Sequence, residues 1–305
     1  MEQVFNPTHP ERMVARRRVD GRDVVVKRYA RGGADEVRAA MEALWASPFG
    51  ASRPSPAMPE PVGRPVAEAS RDELWMSFVA GRQMATRTDL GDTLSRLDDV
   101  ARLLADLNRS GVVVPRRRTA ARLLLSLRRK RDAVGGRLAA HVESVVARLE
   151  LSMPQDDPLV VNHGDFSPRN LIVSGHGLVL IDFDRLQMAD PVHDVAYFGA
   201  WLWATDRVLG RDGSWRPGDE LAREHAAELG ELDGLDELDE LDELEAGRDD
   251  DERRHALAFH RSVGLVRIAT SWTWMRDHPD VAAGVLDEAQ RLASALPALH
   301  PRASA

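Results

Sequence analysis

Between Met13 and Tyr29 the chain runs as two short apolar–basic stretches, Met13 to Val19 and Val24 to Tyr29, joined by Asp20-Gly21. Strand-favouring residues on either side of an Asp-Gly dipeptide predict a β-hairpin, because that dipeptide tolerates the positive φ angles of a tight turn. Val37, Met41, Leu44 and Trp45 then recur at helical spacing and predict a helix over Ala34 to Ser47. Pro48 to Pro65 is proline-rich and predicts loop or edge structure, after which Glu73 to Val79 returns to strand composition and ends at Ala80-Gly81. From Leu90 to Ser110, Leu94, Leu97, Val100, Ala101, Leu104 and Leu107 share one helical face that stops at Gly111. Thr119 to Leu149 predicts one or two further helices interrupted near Gly135-Gly136. Leu159 to Val161, Leu171 to Val173 and Leu178 to Ile181 read as short buried strands, the last two forming a hairpin around Ser174-Gly175-His176-Gly177. After Pro191 the pattern is helical to the end, apart from an acidic insert between Glu220 and Arg254. Within it Leu232, Leu235, Leu238, Leu241 and Leu244 recur every three residues. A period of three matches neither the 3.6 of an amphipathic helix nor a 3.5 heptad, so the insert predicts a low-complexity surface segment, partly helical or disordered.

Composition narrows the class. The 305 residues are enough for one large domain or two modest ones, and 43% hydrophobic with 30% charged residues is the balance of a globular chain. The absence of Cys excludes a disulfide framework, a thiolate metal site and a cysteine nucleophile. No basic-then-apolar leader opens the chain. The most apolar run, Ala256 to Trp274, carries His260, Arg261 and Arg267, so the expectation is a cytoplasmic protein with no membrane partner. The net charge of −8 resides in the insert, where 16 acids face 4 arginines; the rest of the chain has a small positive excess. Eight basic residues between Arg116 and Arg131 read as a solvated helix face, since no aromatics interleave for base stacking, and no nucleic-acid partner is expected. Only Lys27 and Lys130 are lysines among 41 basic residues. Lys130 lies in a run of arginines, whereas Lys27 stands on a predicted strand where a compact ammonium is wanted in place of a forked guanidinium.

The chemistry concentrates in Val160-Val161-Asn162-His163-Gly164-Asp165-Phe166-Ser167-Pro168-Arg169-Asn170, followed by Leu180-Ile181-Asp182-Phe183-Asp184. A strand delivers His-Gly-Asp to a polar turn, and a hairpin returns Asp182 beside Asn170. Neighbouring strands lie about 4.8 Å apart, so these two residues can converge on one cation. An amide and a carboxylate suit Mg²⁺ held jointly with substrate phosphates. Asp165, on the same turn, is placed to accept a proton from an attacking hydroxyl.

The His-x-Asp-x-x-x-x-Asn spacing followed by apolar-Asp-Phe-acid resembles the aminoglycoside phosphotransferase and choline kinase family of the protein-kinase-like fold. The likeness extends to Val24-Val25-Val26-Lys27 upstream and to Asp190-Pro191-Val192-His193-Asp194-Val195-Ala196 downstream. It implies an α+β, bilobal fold, with a small sheet-rich N-lobe over residues 1–80 and a larger, mainly helical C-lobe over 81–305. It further implies Asp165 as catalytic base, Asn170 and Asp182 as Mg²⁺ ligands, and Lys27 paired with Glu42 (preferred to Glu36) to position ATP phosphates. Backbone groups near Ser77 to Val79 would hold adenine. His163 and Asp194 are expected to order the loop, His193 to start a helix, and Asp184 to be either a secondary metal contact or a solvated acid. Only eleven residues separate Asp182 from Asp194 and no Ala-Pro-Glu follows, which leaves no room for a protein-substrate platform; Ser167 also stands where Ser/Thr protein kinases carry Lys. The expected reaction is therefore γ-phosphoryl transfer to a hydroxyl of a small molecule, such as an aminoglycoside, amino alcohol or sugar. A choline-like amine would want an aromatic cage, for which Trp201, Trp203, Trp272 and Trp274 are available, although core packing suits them better. Phe5 to Arg12, where a phosphate-covering loop belongs, has no Gly, so a catalytically weak or inactive nucleotide-binding protein is the alternative. A dinuclear metallohydrolase built on Asn162-His163 lacks the several His and Asp ligands it would need.

Overall fold

The computed structural model describes residues 3–4, 13–29, 33–51, 57–63, 72–86, 89–155, 158–230 and 250–298. Phe5 to Arg12 and the leucine repeat of the acidic insert lie outside them. The chain begins with an antiparallel sheet in the order β1 (Gln3–Val4), β2 (Val14–Val19), β3 (Arg22–Arg28), β4 (Glu73–Ser77). The predicted hairpin turns at Asp20 and Gly21, both with positive φ (49° and 78°), the geometry that dipeptide was expected to supply. β1, which the sequence reading did not anticipate, pairs Gln3 with Arg16 and Val4 with Ala15. β3 is central: Lys27 lies opposite Val14 on one side and Leu74 on the other. Val24 and Val26 pack with Trp75 on one face of this sheet, so Lys27, at odd register, projects from the other. Helix α1 (Ala34–Ala46) buries Ala34, Met41 and Leu44, and Pro48–Ala51 adds a helical turn, α2, inside the proline-rich stretch.

β5 (Arg82–Gln83) leads into α3 (Leu97–Asn108), preceded by a 3₁₀ turn at Thr93–Arg96. β6 (Arg117–Arg118) follows, and Thr119 caps α4 (Ala120–Val134) by accepting the Arg122 N–H. The interruption expected near Gly135-Gly136 separates α4 from α5 (Gly136–Glu150), with both glycines at positive φ. Next come β7 (Val160–Asn162), β8 (Leu171–Ser174), β9 (Gly177–Leu180) and β10 (Gln187–Ala189). β8 and β9 form the predicted hairpin and extend to β5, while β10 lies between β6 and β7. β6 and β10 were not anticipated: they are only two and three residues long, and β6 is held by β10, which itself pairs with β7.

The helices α6 (His193–Val208), α7 (Arg216–Gly230), α8 (Asp250–Ser271), α9 (Thr273–Asp277) and α10 (Pro279–Ala295) complete the chain. α6 is buried on all sides from His193 to Thr205, packed by α7 and α8. Trp201 and Trp203 are therefore both buried although two residues apart, Trp201 against Trp272 and Trp203 stacked on Trp215. These tryptophans build core and not a cage. Among the described residues no helix is long and apolar enough to cross a membrane.

Candidate active site

The turn from Asn162 to Asn170 is held from several directions at once. Asp194, at the start of α6, accepts the backbone N–H of His163 at 2.6 Å and that of Gly164 at 3.1 Å. The His163 ring bridges the turn to the returning hairpin: Nε2 lies 2.9 Å from the Ile181 carbonyl, and Nδ1 accepts the Asp165 N–H at 3.3 Å. Burial pushes the His163 pKa down, so the ring is neutral, with its one proton on Nε2 as this bonding requires. Asn162 donates to the carbonyls of Ala189 and Asp190, fastening β7 to the end of β10. Gly164 has φ of 77°, and a Cβ there would overlap the Arg185 carbonyl, so the turn and the segment after Asp182 close on each other across a glycine. The loop-ordering parts expected of His163 and Asp194 are what these contacts perform, and His193 is the first residue of α6, as anticipated.

Asp165 is buried, its side chain 9% exposed, and both its oxygens are engaged. Arg267 of α8 donates to Oδ1 at 2.8 Å and also to the Gly164 carbonyl at 2.7 Å; Arg169 donates to Oδ2 at 2.9 Å. Burial acts to raise this carboxyl, but the two guanidinium groups outweigh it and bring the pKa down to about 2. Neither arginine was picked out as functional from the sequence. Arg267 carried a signal nonetheless: a cation in the apolar run Ala256 to Trp274 is costly unless something buried receives it.

Asn170 and Asp182 stand at the adjacent ends of β8 and β9, where Leu171 pairs with Leu180 and the Ile181 N–H reaches the Asn170 carbonyl at 2.9 Å. Asn170 donates through Nδ2 to the Asp165 carbonyl at 2.9 Å, which turns the amide and leaves Oδ1 as the atom a cation could use. Asp182 takes the left-handed conformation, φ 70° and ψ 60°, uncommon for a non-glycine residue and typical of functional turns. The structure thus brings Asp165, Asn170 and Asp182 to one place.

Lys27 reaches the same place from the N-terminal sheet. Its ammonium lies 2.5 Å from Asp182 Oδ1 and 2.6 Å from Asp184 Oδ2, and Asp184 Oδ1 accepts the Tyr29 hydroxyl at 2.6 Å. Burial tends to lower the Lys27 pKa, yet the two carboxylates raise it above its ordinary value; for Asp182 burial works upward and Lys27 holds the carboxyl below. The expected Lys27–Glu42 pair is not formed. Glu42, like Glu36, lies on the exposed side of α1, whose inward positions are Ala34, Met41 and Leu44. Asp184, which the sequence left between metal contact and solvated acid, takes the partner's place.

The hinge residues divide. Ser77 donates its N–H to the Glu60 carbonyl and accepts the Glu60 N–H on its hydroxyl, so its polar groups are committed within the N-terminal unit. Its side chain also lines a cavity of about 500 Å³ with Val24 and Trp75, on the sheet face opposite Lys27. Val79 is half-buried and makes no such bond among the described residues, leaving its backbone free for a ligand.

The donor set can be tested against a divalent ion. Among the described residues no three His, Cys, Asp or Glu side chains cluster as an all-protein metal cage. What is present is one amide oxygen, the Asp182 carboxylate (40% exposed) and the nearby Asp184, with the Lys27 cation already drawn between the carboxylates. Such a sparse oxygen set fits Mg²⁺, which keeps several waters and shares its shell with phosphates.

Comparison with known proteins agrees with this geometry. A protein of Ralstonia eutropha JMP134 described as a candidate aminoglycoside phosphotransferase superposes with a TM-score of 0.68 at 15% identity, over 97% of this chain and 93% of that one. Choline kinase LicA from Streptococcus pneumoniae gives 0.58 at 12% identity, over 96% and 93%. A thermostable mutant of the aminoglycoside phosphotransferase APH(4)-Ia gives 0.60 at 16% identity, over 96% and 94%. No curated protein sequence matches. The likeness to solved structures establishes a protein-kinase-like fold, α+β and bilobal. With the phosphotransferase enzyme family matching residues 11–241, the chain belongs to the APH phosphotransferase family.

Proposed function

We propose that this protein is an ATP- and Mg²⁺-dependent kinase that moves the γ-phosphoryl group to a hydroxyl of a small molecule, with the N-lobe spanning residues 1–80 and the C-lobe the remainder. The observation that carries this reading is the convergence of Lys27, from the N-terminal sheet, on Asp182 and Asp184, beside Asn170 and Asp165. LicA has been solved in complex with AMP, at a TM-score of 0.56 to this chain, which supports a nucleotide in the equivalent cleft. Val79 would offer its backbone to the adenine, and Lys27 would leave its carboxylates for the nucleotide phosphates. Asn170 and Asp182 would hold Mg²⁺, which when bound supplies neutralisation of the phosphate charge. Asp165 would accept a hydrogen bond from the acceptor hydroxyl in place of one of its arginines. As the acceptor oxygen–phosphorus bond forms and the bond to the β-phosphate oxygen breaks, the hydroxyl proton passes to Asp165 and on to solvent, and ADP leaves. With a pKa near 2, Asp165 is a weak base, so its main contribution is orientation.

The test is a coupled assay of ADP release with Mg²⁺ present and absent, across aminoglycosides, amino alcohols, sugars and hydroxy acids. Acceptor-dependent, Mg²⁺-dependent ADP release supports transfer. Nucleotide binding without transfer to any acceptor would instead identify the catalytically silent alternative.

A further inference from the structure

The cleft wall around Asp165 carries far more positive charge than its carboxylates require. Arg267 and Arg169 already occupy both oxygens of Asp165. Arg185 follows two residues behind Phe183 in the turn after Asp182, and Arg116 donates to the Asp184 carbonyl at 3.0 Å. Arg118 ends β6, paired with Ala189 of β10, and Lys130 of α4 hydrogen-bonds the Ser271 hydroxyl at the end of α8. Among the described residues no ion pair joins Arg116, Arg118, Lys130 or Arg185 to a carboxylate. These groups sense one another. Burial and then the charges of Arg116, Arg267 and Arg185 depress Arg118; burial and then Arg267 and Arg185 depress Lys130.

The contrast within α4 sharpens the point. Arg128 pairs with Glu150, and Arg131 with Glu143, as solvated helix charges ordinarily do. Lys130, between them, reaches instead the Ser271 hydroxyl on α8, one helical turn from the Arg267 that holds Asp165. The basic run from Arg116 to Arg131, read from the sequence as a solvated face, is therefore split, and part of it lines the site. Arg185 also feels the Asp165 and Asp182 carboxylates, but the cations outnumber them, and such an excess attracts a further counter-ion. A cationic aminoglycoside or choline would be repelled there.

Building on the phosphotransferase reading, we propose that the acceptor is an anionic hydroxyl compound, its carboxylate or phosphate held by Arg118, Lys130 and Arg185 while its hydroxyl reaches Asp165. The anion fixes the molecule at the C-lobe wall, and the phosphoryl group arrives from the Lys27 side.

The experiment is a charge series on one scaffold: gluconate, glucose 6-phosphate, glucose and glucosamine, titrated by calorimetry without nucleotide. At least one anion is expected to bind about tenfold or more tightly than glucose and glucosamine. R118Q and K130Q should each weaken it by about tenfold, the worth of one charge-assisted hydrogen bond. Equal affinity across the series, preference for glucosamine, or no binding of either anion at millimolar concentration overturns the proposal. The wild-type protein offers a second readout that does not depend on those variants folding. With only two lysines in the chain, acetylation of Lys130 by acetic anhydride can be followed by peptide mass spectrometry. Inorganic phosphate should slow it, and chloride at equal ionic strength should not. If a Mg²⁺-bound non-hydrolysable ATP analogue protects Lys130 as fully as phosphate, the cluster serves the nucleotide and the acceptor proposal falls. Anion binding that depends on Arg118 and Lys130, without turnover of ATP, would uphold the anion site and sink the transfer reading. Turnover of glucosamine in preference to gluconate would do the reverse.

Discussion

The two sides of the cleft are built on opposite principles. On the C-lobe side, the turn carrying Asp165 is fixed by buried hydrogen bonds from Asp194, His163, Asn162 and Asn170, almost all to backbone atoms. On the N-terminal side, Lys27 is held through its side-chain ammonium by two carboxylates, of which Asp182 is 40% exposed. Backbone hydrogen bonds in a buried turn are satisfied by folding itself and have no cheaper alternative. Ion pairs at an open lip can be exchanged for a phosphate and a metal at little net cost, because the same charges are satisfied afterwards. On the proposed function, the fold would pre-form the acceptor's geometry and leave the nucleotide's partners exchangeable.

The sharpest way to break that contrast is at Asp165. Asp165→Asn preserves shape and keeps one arginine contact on its remaining oxygen, while it removes the charge and turns an NH2 donor toward the other arginine. Turnover with the true acceptor is expected to fall about 10²–10⁴-fold, with the dissociation constant of the nucleotide essentially unchanged. Steady-state kinetics alongside nucleotide titration check both halves. Because its pKa is near 2, Asp165 stays ionised from pH 5 to 8, and an acid limb of activity in that range would have to come from another group.

Lys27→Ala should do the converse. Loss of one charge-assisted contact to phosphate predicts nucleotide binding weaker by about ten- to a hundredfold, and a thermal stability close to the wild type. A large stability loss would mean that the Lys27 ion pairs hold the lobes together and are not exchangeable.

The third test separates the sides by pH. Burial raises the Asp194 carboxyl to about 7, even though two backbone N–H groups favour its ionised form. Between the ordinary value of 3.8 and 7 the folded state holds a proton that the unfolded chain has released, so this group's contribution to stability declines as pH rises through that window. Asp194→Asn cannot titrate, and its amide keeps only one of the two oxygens that share the His163 and Gly164 N–H groups. It should cost about 1–3 kcal/mol, and the gap to the wild type should narrow from pH 4 to 7. Melting temperatures of both proteins across that range measure it; a constant gap would show that Asp194 is already ionised at pH 4.

How much of this was legible beforehand follows the same division. The Asp165 turn and the hairpin after it could be read because their residues are contiguous: Asp165 and Asn170 share one turn, and the two-residue loop Gly175-His176 returns Asp182 to Asn170's side. Asp194 was legible for the same reason, within an Asp-Pro segment just downstream. Arg267 lies about a hundred residues away in sequence, and only the fold brings α8 against the turn; its trace in the sequence was a cation inside an apolar run. Lys27 was recognisable from its rarity and its strand, but its partner was not. Glu42 followed from the family likeness of Met41-Glu42-Ala43-Leu44, whereas α1 presents alanine, methionine and leucine to the core. The two-residue strand β6 left no pattern to read, since a pair of arginines has neither strand propensity nor alternation.

The smallest effect is expected where the family likeness pointed most directly. Glu42 is exposed and makes no contact with Lys27, so Glu42→Gln should change the KM for ATP and the turnover less than about twofold, within the range of ordinary surface substitutions. Asp184→Asn should change the KM several-fold, because Asp184 both pairs with Lys27 and accepts the Tyr29 hydroxyl, and neutralising it frees the ammonium toward Asp182 alone. The two kinetic measurements form a single comparison. If Glu42→Gln is the damaging change and Asp184→Asn the silent one, α1 must rotate when nucleotide binds to bring Glu42 onto Lys27, and the N-terminal side of the cleft would then be mobile in its helix as well as exchangeable in its charges.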